Sequence, residues 1–223
     1  LISEVLGDAL EVYRQLWRRS VVVAGLVFAV VELAAAFAAR SGTVGTGLVS
    51  LVLALVGGLL VQGALVYLVA DLHEGRVTPS VHDLYERARG RLGTLLGASL
   101  LYGVGVVLGF ILLIVPGLIA VARWSLIVPL VMIERLGVGE AFSRSNTLVK
   151  GSTGRVLVLV IVVNLLTGIA AYLIRLAFGF LPDFAAFWIG GTVASAVAIP
   201  YGAYALTGLY YRLTEPDRPI LAA

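Results

Sequence analysis

The 223-residue chain has no cysteine. Structural disulfides and thiolate metal sites are therefore excluded. It has two histidines, His73 and His82, and no HExxH pair. Charge is scarce: Asp, Glu, Lys and Arg together make up 13% of residues, against about 25% in soluble domains. A soluble reading fails on that number. No Asp falls inside a long apolar run, which removes an intramembrane aspartyl dyad. Ser99 has no membrane histidine to activate it. No glycine-rich phosphate loop of nucleotide-binding type is present. Nothing in the sequence points to an enzyme or to a cofactor. The net charge of +3 is no nucleic-acid signature, because the basic residues flank apolar runs. The chain begins at Leu1 without Met, and no small-residue cleavage site follows the first apolar run.

What is present is hydrophobicity, at 60% of residues with mean hydropathy +1.03. Six apolar segments are long enough, or nearly so, to cross about 30 Å of hydrocarbon. They lie at about 20–39, 47–70, 93–115, 117–133, 155–180 and 186–211. The fold class is all-α, a polytopic membrane protein forming one membrane domain over 1–223. Pro116-Gly117 is expected to make a tight turn between the third and fourth spans. Pro129 and Pro200 should kink or break the spans that hold them.

Charge bias sets the expected orientation. Thirteen basic residues flank the spans on one side, and Arg40 alone flanks them on the other. The positive-inside rule then puts both termini in the cytoplasm. The segments on the basic side read as short amphipathic helices lying in the interface. Over 1–19, Leu6, Leu10, Tyr13 and Trp17 form an apolar stripe. After Thr78-Pro79, expected as cap and first helical position, Val81, Leu84, Tyr85 and Ala88 form another. Residues 139–150 form a weaker third. The pattern suggests a threefold repeat of interfacial helix plus hairpin, with Tyr13–Arg19 matched by Tyr85–Arg91. Small-residue stripes at Gly93, Gly97, Gly105 and Gly109, and at Gly190, Ala194, Ala198 and Gly202, should let helices approach closely.

Three charges sit inside the apolar runs: Glu32, Arg123 and Arg175. A charge in hydrocarbon costs roughly 3 kcal/mol on insertion scales, so such residues pair or line a polar path. Counted from the span ends, all three share the half of the membrane away from the basic connections. Glu32 is expected to pair with Arg123, with Arg175 reaching the interface. The same three can instead line a cavity of net charge +1, with Trp124 beside it, that receives an anionic group. Gln62, Asn164 and Thr167 add uncharged polarity within the spans. His73 and His82 read as parts of a solvated loop.

The run Val115-Pro116-Gly117 through Arg123-Trp124 to Pro129 is followed by Glu134, Glu140-Ala141, Arg144-Ser145 and Lys150-Gly151. This stretch resembles the membrane domain named after glycerophosphoryl diester phosphodiesterases, a bacterial and archaeal group of six-span proteins. The resemblance implies a plasma-membrane location. It marks Arg123, Trp124, Pro129 and Glu134 without giving them a role. Phosphodiesterase activity does not follow, because the catalytic barrel of fused members is absent from this sequence. Three roles are consistent with the residues. The leading one is to bind or help move a lipid or anionic amphiphile. The others are a structural or assembly partner, and a small-solute transporter or channel. Membrane lipids are the expected partners; the sequence names no protein partner.

Overall fold

The computed structural model describes residues 2–76 and 79–216. Its elements are α1 (Ile2–Ser41), α2 (Val44–His73), α3 (Val81–Arg89), α4 (Leu92–Leu112), α5 (Ile114–Arg123) and α6 (Ile127–Met132). They continue with α7 (Val138–Val149), α8 (Thr153–Ala177), α9 (Asp183–Ala185) and α10 (Gly191–Thr214), with a π-helical turn over Ala186–Gly190. Among the described residues six helical stretches are long and apolar enough to cross a membrane, with α5–α6 and α9–α10 each counted as one.

The spans neighbour one another in chain order, and the last closes on the first. α1 packs on α2, α4 on α5, α5 on α8, α8 on α10, and α10 on α1. α6 lies against α2 and α10. The expected boundary between an interfacial helix and the first span is not a break. α1 runs unbroken for 40 residues, about 60 Å at 1.5 Å per residue. No proline interrupts it, and one buried stripe continues through Val5, Ala9, Val12, Leu16, Ser20 and Val23. That stripe is one residue off the expected one, and Leu10 and Trp17 face outward. The Trp17 ring carries Arg18 at 5.6 Å, which suits a headgroup-level position.

The break between third and fourth spans falls at Leu113, whose φ of −167° and ψ of 155° are extended. The expected turn at Pro116-Gly117 is thus displaced. Pro116 lies in the first turn of α5, where its missing N–H costs nothing. Its ring could not follow an unbroken helix, because it would meet the carbonyl four residues earlier, at Leu112. Close packing then needs glycine: a Cβ on Gly109 would sit 2.9 Å from the Gly117 Cα. The fourth span is itself broken over Trp124–Leu126, one turn before Pro129. Pro129 has no N–H for the Ser125 carbonyl, so the expected break is present. Pro200, by contrast, lies inside an unbroken α10.

Burial is uneven along the bundle. At the end that carries the basic connections, α2 from Gly63 to Asp71 and α10 from Ala203 to Tyr211 are buried almost all round. At the opposite end, Val44 to Leu53, Ile111 to Val115 and Leu165 to Leu176 leave most of their apolar side chains exposed. Apolar exteriors of this kind suit contact with acyl chains. α3 is capped by Ser80, which forms a capping box with Asp83; Thr78, the expected cap, lies outside the described residues. Leu84 and Ala88 are buried as their stripe predicts, and the Tyr85 hydroxyl donates to the Val23 carbonyl.

Candidate functional site

The three membrane charges do not assemble as expected. Glu32 pairs with Arg175, not with Arg123. Arg175 Nη2 donates to Glu32 Oε1 at 3.0 Å, and Ser195 Oγ donates to the same oxygen at 2.9 Å. Gly191 makes the approach feasible, since a Cβ there would lie 2.4 Å from Glu32 Oε2. Beside them, Trp188 Nε1 donates to the Ala29 carbonyl at 2.9 Å. The cluster joins the first, fifth and sixth spans and neutralises two of the three charges. Arg175 therefore does not simply reach out to the interface. Each charge offsets the cost that the other would carry alone.

Arg123 stands apart. Counting from the true helix start at Ile114, it lies about nine residues along α5, roughly 13 Å. That places it beside α7 rather than beside Glu32. Ser145, fully buried on α7, donates from Oγ to the Arg123 carbonyl at 2.6 Å. That carbonyl would bond to the Ile127 N–H in a continuous helix, but Ile127 donates to Trp124 instead. α7 thus satisfies an acceptor released by the break. The Trp124 ring packs on Gly105, where a Cβ would come within 2.5 Å of it, and edge-to-face on Phe142 at 5.1 Å.

The side chain of Arg123 has no carboxylate partner among the described residues, and its buried Nε has no hydrogen-bond partner there. Arg123 lines an open groove of about 700 Å³ between α4, α5 and α7. Ser143 and Asn146 are the other polar residues at its head. Leu108, Leu112, Pro116 and Ile119 carry the groove toward the α4–α5 turn. The arrangement pairs one cationic end with one apolar end, the pattern an anionic amphiphile would match.

The remaining marked residues brace this region. Glu134 accepts from Arg144 Nε at 3.3 Å and from the Tyr210 hydroxyl at 3.1 Å. Glu140 accepts from the Gly137 N–H at 2.9 Å and so fixes the start of α7. The whole stretch from Pro116 to Ser145 is one structural unit: a broken span and the helix that covers the break. Sequence reading placed Gly105 in a packing stripe without naming Trp124 as its partner, and gave Ser145 no role. A buried serine on an amphipathic helix has no recognisable signature before its partner is known.

A second cavity, of about 190 Å³, lies on the other side of the broken span. It gathers Gln62 of the second span with Asn164 and Thr167 of the fifth, and has Pro129 in its wall. Asn164 Nδ2 and Thr167 Oγ1 donate to carbonyls of their own helix at 2.8 Å each. The Gln62 amide has no partner among the described residues. The cavity suits water or another neutral hydrogen-bonding group.

His73 departs from expectation. It is 2% exposed, stacked on Tyr211 with ring centroids 3.9 Å apart, and 3.4 Å from Glu215. It belongs to the core, not to a solvated loop. Asp71, expected just beyond the second span, lies inside α2 and is bound by Arg76 and Arg87. Asp71 holds the Arg87 guanidinium above its usual range by hydrogen bonding. No protein family, no characterised protein and no solved structure matches this chain.

Proposed function

We propose that the chain is a non-catalytic integral membrane protein that binds or helps move a lipid or other anionic amphiphile. The anionic group sits at Arg123, and acyl chains run along Leu108, Leu112 and Ile119. The observation that carries this reading is an arginine within a span that has no acidic partner among the described residues and lines a long groove with one polar end. A phosphate would offset its charge and satisfy its donors bidentately. Arg175, part of the expected site, is left out because Glu32 already neutralises it.

The proposal places the protein in the plasma membrane of a bacterium or archaeon, with both termini cytoplasmic. The charge bias supports that orientation, and the resemblance of Val115–Gly151 supports the location. A threefold repeat belongs to the same reading. Tyr13 and Tyr85, its matched positions, each donate a hydroxyl to a carbonyl on another helix, Val197 and Val23.

The test is native mass spectrometry with lipid identification on gently extracted protein. Arg123→Gln should lose co-purifying anionic lipid, and Arg40→Gln, an exposed arginine away from the groove, should retain it. Equal lipid in both variants and the parent would leave a structural bundle. The cavity at Gln62 gives a solute-transport reading one observation of its own. A solute flux into proteoliposomes that Gln62→Leu abolishes and Arg123→Gln preserves would favour that alternative.

A further inference from the structure

A third cavity lies at the basic end of the bundle, where α2, the α3–α4 junction and the α6–α7 loop meet. Its volume is about 240 Å³, and Tyr67, Glu86, Arg87, Gly90, Arg91 and Arg135 line it. Arg87 is fixed in place. Its Nη1 and Nη2 donate to the two oxygens of Asp71 at 2.7 and 3.2 Å, and its guanidinium lies 4.3 Å from the Tyr67 ring centroid. Asp71 is shared with Arg76 at 2.8 Å, and Glu86 pairs with Arg89 at 3.6 Å. The carboxylates around the cavity are therefore engaged. Arg91 and Arg135 are not: among the described residues neither side chain forms an ion pair or hydrogen bond.

Two further features point the same way. Arg91 is the N-cap of α4, and no side chain caps that helix. The partial positive charge of a 21-residue helix thus adds to the arginines. Arg135 has φ of 56°, in the left-handed region that glycine adopts freely and arginine does not. An arginine is held there at a conformational cost, in the one loop that brings it to Arg91. Strain of this kind marks sites where the side chain is needed.

We propose that Arg91 and Arg135, with the start of α4, form a phosphate-binding site at the basic end of the bundle. It is separate from the groove at Arg123. The ligand is a phosphate group, carried either by a lipid headgroup or by a free phosphate. Two unpaired guanidiniums offer planar, bidentate donors that a phosphate matches better than a single carboxylate does.

The test measures thermal stabilisation of the full chain in a neutral detergent by two probes, inorganic phosphate and short-chain phosphatidic acid. The parent should be stabilised by one or both. Stabilisation by the lipid alone assigns a headgroup; stabilisation by both at similar concentrations assigns free phosphate. Arg91→Gln and Arg135→Gly should each weaken the response about tenfold or more, the effect of losing a charged hydrogen bond. Arg40→Gln, exposed and at the opposite end of the bundle, should leave it unchanged. Arg135→Gly also relieves the backbone, so it should melt no lower than the parent without ligand. Its lost response then cannot come from misfolding. The responses are compared in an Arg123→Gln background, where the groove no longer holds a phosphate, so that what Arg91→Gln and Arg135→Gly remove belongs to this site. Failure of both probes to stabilise the parent, or an unchanged response in Arg135→Gly, overturns the proposal.

Discussion

Arg175 and Glu32, 143 positions apart in the chain, meet at 3.0 Å inside the bundle. The bond ties the fifth span to the first at the end where little else is buried. Glu32→Gln and Arg175→Gln should each lower thermal stability in detergent by about 1–3 kcal/mol. That is less than for a fully buried pair, because the Arg175 side chain is 41% exposed. The double variant should cost less than the two singles added together. Strict additivity in that cycle would show that the contact contributes nothing.

Ser145 holds the break in the fourth span from outside it. Ser145→Ala leaves the Arg123 carbonyl without its donor and should destabilise by about 1–3 kcal/mol. Ser143→Ala, an exposed position two residues away, should be near neutral by the same thermal measurement. Equal melting of the two variants would show that the break is held by packing alone.

Orientation can be read by labelling, because the native chain has no cysteine. A reagent that cannot cross the membrane should modify Thr43→Cys in intact cells and miss His82→Cys. Both positions are exposed, so a difference reports sidedness. The reverse pattern would invert the proposed topology.

The start of α3 should loosen in acid. Hydrogen bonds from the Ser80 hydroxyl and N–H hold the Asp83 carboxyl below its ordinary value of 3.8. A carboxyl depressed on folding stabilises the folded state above that value, and the contribution is lost as pH falls through the lowered one. Hydrogen exchange in the first turn of α3 should therefore quicken below about pH 4. Ser80→Ala should exchange faster at neutral pH and respond less to acid. The same exchange profile in parent and variant would remove the capping box from the account.

The spans were legible because hydrocarbon demands long apolar runs and leaves few alternatives. The packing role of the small-residue stripes was legible too. Gly105 receives Trp124, Gly109 receives Gly117, and Ala194 is buried. Depth was less readable. Moving the turn from Pro116 to Leu113 shifts Arg123 by about a turn of helix, and a charge misplaced by that much finds a different partner. The Glu32–Arg123 pairing failed for that reason. The choice of face in α1 also escaped, because Val5 and Leu6 begin two stripes of similar apolarity and only α10 decides between them.

The closing of the sixth span on the first has a consequence for synthesis. Asp8 of α1 is bound by Arg212 at 2.6 Å, 204 positions later, and Ser20 meets Tyr204 across 184. α1 leaves the ribosome before α10 and thus waits for it. Until α10 arrives, Ser20 and Asp8 face lipid or water without these partners. A chain that stalls after α8 has five of its spans but cannot close the ring. Such a product should be recognised by the face that α1 keeps for α10 and degraded before it accumulates.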